Sequence, residues 1–151
     1  MTSNGISNGG LASHGVVADG LVFLLYRSET DLKPGAVEVD NIIYVARRDN
    51  QHGGLTGYLH LEDGCFYQWL EGPGDALTAL MGRICADQRH RNVKVLWQGQ
   101  ALSRQFPDWS MGFGIADPDT LFDWVSQRGV AGVDSAGFAR EILAFMRAQA
   151  A

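Results

Sequence analysis

The stretch of chain that decides the fold runs from residue 55 to residue 72 and reads LTGYLHLEDGCFYQWLEG. Apolar residues alternate with other residues over positions 55–61, which is the period-two pattern of a β-strand. Asp63-Gly64 is a strong signal for a tight turn, and residues 65–70 then form the return strand. The stretch therefore predicts a β-hairpin.

The flanking segments add strands and helices on both sides of this hairpin. The run LVFLLY at residues 21–26 predicts a buried central strand, and apolar residues at helical spacing over 39–46 predict a helix after it. A second helix opens at Gly72-Pro73-Gly74-Asp75, and its apolar stripe is formed by Leu77, Leu80, Met81 and Ile84. Further strands are predicted near residues 93–97 and 109–115.

The order β-α-β-β-α-β predicts an α+β, ferredoxin-like sheet with one additional strand. Its two helices cover one face, so the other face would expose a large apolar patch unless something packs on it. Asp117-Pro118 resembles a helix start, and two C-terminal helices are expected to cover that face. Their apolar positions are Leu121, Phe122 and Val125 in one, and Phe138, Ile142, Phe145 and Met146 in the other. We divide the chain into a mobile arm (1–20), a folded domain (21–116) and a helical extension (117–151).

Charge and composition exclude several classes of protein. Twelve Lys and Arg against seventeen Asp and Glu give a formal charge of −5, which argues against a nucleic-acid partner. No apolar run approaches the roughly 20 residues that span a bilayer, and residues 1–20 lack the pattern of a secretory signal. Cys65 and Cys85 have no metal-type or CxxC spacing. We therefore expect a cytoplasmic protein without a metal site.

Four polar positions are candidates for function, although each has a simpler explanation when taken alone. Strand alternation places Gln68 on one face with Phe66 and Leu70, where the amide would bond a neighbouring backbone group or point to water. Tyr26 would be a core tyrosine with a bonded hydroxyl. Asn50 follows the first predicted helix as a C-terminal cap, and residues 87–90 would be a solvated helix end.

Taken together, the polar segments resemble one family. They occur in a fixed order: LYRS at 25–28, DN at 49–50 with LTG at 55–57, FYQWLEG at 66–72, DQRH at 87–90, and Arg104 through Trp109-Ser110-Met111. The set is similar to the BLUF family, the blue-light sensors that use flavin adenine dinucleotide (FAD). The resemblance covers residues 21–116 and implies the same ferredoxin-like fold that the pattern predicts.

The resemblance implies a role for each matching residue. The flavin ring would lie between the two helices of the domain. Tyr26 corresponds to the photo-oxidised tyrosine, and Gln68 to the glutamine that reverses its hydrogen bonds. Among the other flavin contacts that the resemblance implies, Asn50 lies at the C4 carbonyl and N3 region and Arg89 lies near the C2 carbonyl. Asp87 and His90 would belong to the same flavin-lining segment, and Phe66 and Ile84 would pack on the ring. Trp109 and Met111 correspond to the relay between the flavin and the output surface.

One position departs from the family pattern. Asp49 stands where relatives often have Asn or His, and a carboxylate is poorly suited to stack on the ring. We therefore assign Asp49 no flavin contact.

The resemblance implies a photosensor rather than an enzyme, with FAD as its cofactor. No effector domain follows in the sequence, so we expect a separate signalling protein as partner, and a homo-oligomer. Three alternatives remain: an RNA-recognition domain, a ferredoxin-like hydrolase of the acylphosphatase kind, and a flavin enzyme. The negative charge disfavours the first. His14, His52, His60 and His90 form no evident nucleophile or metal constellation for the second, and the small chain leaves little room for a substrate beside a flavin in the third.

Overall fold

A computed structural model describes residues 20–108, 110–115, 120–128 and 135–150. The strands in these ranges are β1 (Leu21–Glu29), β2 (Thr56–Glu62), β3 (Cys65–Pro73), β4 (Arg91–Ala101) and β5 (Gly112–Ile115). The helices are α1 (Val37–Gly53), α2 (Gly74–Ala86), α3 (Leu121–Gln127) and α4 (Ser135–Ala150). The predicted hairpin is confirmed as β2–β3.

The strands form one sheet in the order β4-β1-β3-β2-β5. The first four strands pair antiparallel in the ferredoxin-like order, and β5 is the additional strand, parallel to β2. The fold class is therefore confirmed. Strand β1 lies between β3 and β4, so Tyr26 is central in the sheet and directly opposite Gln68 on β3.

Each face of the sheet has its own apolar cluster. On one face, Val22, Leu24 and Leu70 pack with residues of α1 and α2, such as Val39 and Leu77. On the other face, the strands contribute Phe23, Leu25, Tyr58 and Trp69, and the C-terminal helices contribute Leu121, Val125, Ala139, Ile142, Phe145 and Met146. The expectation that the C-terminal helices cover the second face is confirmed.

The end of α1 differs from the prediction. Asn50 does not follow the helix but lies in its last turn, and Gly54 is the residue after the helix. Gly54 adopts a left-handed conformation with φ 73°, and its N–H donates to the carbonyl of Asn50. A glycine adopts this conformation without a Cβ clash, which is why the helix continues past Asn50 to Gly53.

Two further boundaries are corrected. Strand β5 begins at Gly112, so Met111 immediately precedes it rather than lying in it, and Trp109 lies outside the described residues. Helix α3 begins at Leu121 with Thr120 as its N-cap, because the Thr120 hydroxyl accepts from the backbone N–H of Asp123. The predicted cap at residues 117–118 lies outside the described residues, as does nearly all of the predicted arm.

One of the apolar residues expected at helical spacing in α3 is exposed. Phe122 is 73% exposed, whereas Leu121 and Val125 are buried. Residues 121 and 125 are one helical turn apart and share the face against the sheet, while residue 122 is rotated by roughly 100° from that face. Of the three apolar positions expected in this helix, Phe122 therefore does not contribute to the face that covers the sheet.

A helix that spans a bilayer must be both long and apolar. Across residues 20–108, 110–115, 120–128 and 135–150, no helix is both long and apolar enough to cross a membrane. Helix α1 has 17 residues and carries charged side chains in several turns, including Glu38, Asp40 and Arg47.

Candidate functional site

A cleft of about 260 Å³ opens between α1 and α2, over β1 and β3. Most of its exposed lining is apolar, and several polar side chains complete it, as is usual for small-molecule sites. All the residues for which the resemblance implied a flavin contact line it: Tyr26, Asn50, Phe66, Gln68, Ile84, Asp87, Arg89 and His90. The fold thus brings together segments that are far apart in the sequence.

A chain of hydrogen bonds joins three buried side chains at the base of the cleft. The Tyr26 hydroxyl donates to Gln68 Oε1 at 2.5 Å, and Gln68 Nε2 donates to Met111 Sδ at 3.4 Å. Tyr26 is 3% exposed, Gln68 5% and Met111 1%. Gln68 therefore bonds two side chains, rather than a backbone group or water as its simplest interpretation suggested. Both ends of its amide are engaged.

The Tyr26 hydroxyl is held in its protonated form. Burial raises the pKa of Tyr26 well above its usual range, and the nearby carboxylate of Asp87 raises it further. At neutral pH the phenol therefore keeps the proton that it donates to Gln68 Oε1.

Asn50 presents an unsatisfied acceptor at this cleft. Its Nδ2 donates to the carbonyl of Ser110 at 2.8 Å, whereas its buried Oδ1 has no hydrogen-bond partner among the described residues. A buried polar atom without a partner costs about 1–3 kcal/mol. A ligand with an N–H at this position would remove that cost, and the N3–H of a flavin ring is such a donor. The residues present therefore fit the cofactor that the resemblance implies.

The segment from Asp87 to His90 is fixed from both sides. Arg89 forms a two-pronged ion pair with Asp87, with Nη2 to Oδ2 at 2.6 Å and Nε to Oδ1 at 3.0 Å. These hydrogen bonds lower the pKa of Asp87 despite its partial burial. The carbonyl of Arg89 accepts from Thr30 on the loop after β1.

His90 joins α2 to β1. Its Nε2 lies 2.6 Å from the carbonyl oxygen of Ile84, and its Nδ1 lies 2.6 Å from Ser28 Oγ. A carbonyl oxygen only accepts, so Nε2 bears the proton, and Nδ1 of a neutral ring then accepts from the Ser28 hydroxyl. Both ring nitrogens are used within the chain, so the ring offers its face and edge, not a free nitrogen, to the cleft.

Asp49 lies at the cleft, yet its carboxylate bonds elsewhere. Its Oδ1 accepts from Nε of the adjacent Arg48 at 3.1 Å, in an exposed pair. Exposed ion pairs of this kind hold a side chain only weakly. The absence of a flavin contact at Asp49 stays a prediction.

The sequence-based site omitted several residues. Additional cleft residues are Ile42, Val45 and Ala46 on α1, Leu59 on β2, and Leu80 and Arg83 on α2. The apolar stripes of the two helices indicated three of them: Ile42, Ala46 and Leu80. Arg47, whose Nε donates to the carbonyl of Met111 at 2.9 Å, left no signal of its own in the sequence.

Glu71 was also missed, although it lies within the FYQWLEG segment. Its fully buried carboxylate accepts four hydrogen bonds, from Trp69 Nε1, Thr56 Oγ1 and the backbone N–H groups of Gln105 and Phe106. Arg104 lies beside it and donates to Thr56 Oγ1. Glu71 thereby attaches the loop after β4 to β2 and β3. The signal for this role in the sequence was an acidic residue within a mainly apolar strand segment.

Comparisons with known proteins identify relatives of this site. The model of the family "BLUF: Sensors of blue-light using FAD" matches residues 21–112, more than half of the chain. The blue light- and temperature-regulated antirepressor BluF of Escherichia coli K12 is 31% identical over 86 residues, which cover 57% of this chain and 21% of that protein. Subunit beta of the photoactivated adenylate cyclase of Euglena gracilis is 33% identical over 105 residues, covering 67% of this chain and 12% of the subunit. The chain thus spans only a small part of these longer relatives.

Two solved structures of short proteins match over nearly their whole length. The dark-state structure of BlrB, a BLUF protein, is 30% identical with a TM-score of 0.69, and the match covers 85% of this chain and 98% of BlrB. The photo-activated state of BlsA is 25% identical with a TM-score of 0.72, covering 84% and 94%. The structural likeness therefore extends beyond the residues matched by the family model.

Proposed function

The chain belongs to the BLUF family of blue-light sensors, and from this we propose that it is a photoreceptor that binds FAD between α1 and α2 and signals to a separate protein without catalysing a reaction. The observation that carries the proposal is the bonded series Tyr26–Gln68–Met111 at the base of the cleft. It links an oxidisable phenol, an amide whose hydrogen bonds can be reversed, and the segment before β5.

Tyr26 is the electron and proton donor in this proposal. A bound flavin supplies, on absorbing blue light, an oxidant strong enough to take one electron from a neighbouring phenol. A tyrosine that has lost an electron is strongly acidic, although its resting pKa is about 10 in water. Its proton then moves along the 2.5 Å hydrogen bond to Gln68 Oε1. When the electron returns, a proton returns to Tyr26, so no net reaction takes place.

After the electron and the proton have returned, Gln68 keeps a changed pattern of hydrogen bonds. Its planar head has a donor and an acceptor, and rotation or tautomerisation exchanges them. In the dark arrangement Gln68 Nε2 donates to Met111 Sδ. After rotation an acceptor oxygen faces that sulfur, so the bond to Met111 is lost. A change of about 1.4 kcal/mol suffices to shift a two-state equilibrium tenfold.

The proposed ligand contacts follow from the cleft lining. Asn50 Oδ1 would accept from the ring, Arg89 would lie near its second carbonyl, and Phe66 and Ile84 would pack on its faces. Asp87 and His90 complete this lining.

The output is proposed to leave through the segment before β5. Met111 bonds Gln68, and β5 leads towards the C-terminal helices that pack on the opposite face of the sheet. Trp109, the other proposed relay residue, lies outside the described residues. The relatives are named as an antirepressor and as a cyclase subunit, so similar sensor domains are coupled to different outputs. For this chain we propose contact with another protein, and homo-oligomer formation stays a prediction.

Absorption spectroscopy tests the proposal directly. The purified protein is expected to contain oxidised flavin, and blue light should move its absorption slightly to the red, with full reversal in darkness. Acid release of the cofactor followed by chromatography would identify it as FAD or FMN. Bleaching to a reduced or cysteine-adduct spectrum, or no response to light, would contradict the proposed photochemistry.

Asn50→Ala is expected to weaken flavin binding about tenfold, because the ring loses a buried hydrogen-bond partner. The affinity can be measured from the quenching of flavin fluorescence on binding. Asn41→Ala is the matched control, since Asn41 is an exposed asparagine on the same helix. Equal affinities of the two variants would show that Asn50 does not contact the flavin.

A further inference from the structure

Two side chains of α1 hold the backbone just before β5. Arg47 Nε donates to the carbonyl of Met111 at 2.9 Å, and Asn50 Nδ2 donates to the carbonyl of Ser110 at 2.8 Å. Residues 47 and 50 are three positions apart on the helix, so they project from the same side. Two successive carbonyls are therefore bound to one helix.

The position of this backbone decides whether the side chain of Met111 can reach Gln68. Met111 is 1% exposed, and its Sδ lies 3.4 Å from Gln68 Nε2, within hydrogen-bond distance of a sulfur acceptor. A displacement of the Met111 backbone away from β3 would carry this acceptor out of reach of Gln68. The orientation of Gln68 with its oxygen towards Tyr26 would then be less stable, because Nε2 would lose its acceptor.

We propose that Arg47 is a positioning residue of the switch: by holding the carbonyl of Met111, it keeps Met111 Sδ in place as the acceptor for Gln68 and so favours the dark arrangement. The light-dependent part of this inference rests on the proposed photoreceptor function. The dark-state part, that Arg47 fixes Met111, does not.

Replacing Arg47 tests this positioning role separately from cofactor binding. Unlike Asn50, it does not line the cleft, so its replacement leaves the proposed flavin contacts unchanged. Its bond to Met111 has a charged donor, and such bonds are about twice as strong as neutral ones. The adjacent Arg48 has the same charge but pairs with Asp49 at the surface, which makes it a matched control.

The test compares Arg47→Met and Arg48→Met in the full chain with its flavin bound. In darkness, Arg47→Met should move the NMR methyl signal of Met111, one of the four methionines of the wild type, and speed amide hydrogen exchange at residues 112–114 about fivefold, the effect of one lost hydrogen bond. The red shift should persist, whereas recovery in darkness should change about fivefold. Arg48→Met should match the wild type. Arg47→Lys keeps a cationic donor, so each measurement should lie closer to the wild-type value than it does in Arg47→Met.

An unchanged Met111 signal and unchanged exchange in Arg47→Met would overturn the positioning role. A recovery rate equal to that of Arg48→Met, despite a moved Met111 signal, would also overturn it, because the fixed carbonyl would then not influence Gln68. Failure of the photoreceptor proposal is recognised separately, since the wild type would show no red shift while the dark measurements still report on Arg47.

Discussion

Tyr26→Phe is expected to abolish the light-induced red shift while leaving the flavin bound. The substitution keeps the aromatic ring in the buried position but removes the hydroxyl that bonds Gln68 Oε1 at 2.5 Å. Burial raises the pKa of Tyr26, so in the wild type the proton stays on the phenol until oxidation makes it acidic. Without the phenol there is neither an electron donor nor a proton to move at this position. The spectrum before and after blue illumination measures the effect.

Two further variants make this experiment specific. Gln68→Ala should also lose the normal shift, because no amide remains to reverse. Tyr67→Phe should keep it, since Tyr67 is next to Gln68 in sequence but packs with the C-terminal helices on the other face of the sheet. A full wild-type photocycle in Tyr26→Phe would show that another residue donates the electron.

Glu71→Gln is expected to lower the free energy of unfolding by about 3 kcal/mol. Four donors converge on the two carboxylate oxygens, and two of them are the backbone N–H groups of Gln105 and Phe106, which cannot rotate away. An amide replaces one of these acceptor oxygens by an NH₂ group. At least one buried donor would then face another donor in a site that excludes water.

Urea unfolding followed by tryptophan fluorescence measures this loss, provided that the transition is two-state. Glu29→Gln is the control, because Glu29 is a partly exposed acid in a long surface pair with Arg91. That variant should change the stability by less than about 0.5 kcal/mol. A similarly small change in Glu71→Gln would contradict the structural role of the buried carboxylate.

The strands and their faces were predictable because alternation is a local property. The pattern around Gln68 placed Phe66 and Leu70 on its face and Trp69 on the other, and the two apolar clusters confirm this division. The antiparallel order followed from the tight turn at Asp63-Gly64 and from the helices between the strands. The C-terminal helices were predictable because an uncovered sheet face is costly.

The partners of polar side chains were less predictable, because they depend on contacts between distant segments. The sequence offers Gln68 many acceptors, and only the position of residue 111 before β5 makes the sulfur of Met111 the one it bonds. Likewise, Arg47 looks like a helix-end cation that suits the dipole, yet it bonds a backbone carbonyl 64 positions away. The last turn of α1 was misjudged since Asn50 and Gly54 both suit a helix end, and the glycine takes that position.

The central place of β1 has a consequence for how the protein assembles. Strands β2 and β3 are joined by a tight turn and can pair early, whereas β1 must find β3 and β4 across long intervening segments of chain, whose closure costs entropy. The cleft contains residues from β1, both helices of that face and the segment after α2, so it is complete only when these late pairings have formed. A ligand that fits this cleft therefore binds the finished fold and not its precursors. By mass action, an ample supply of that ligand slows the loss of folded molecules and raises their yield during synthesis.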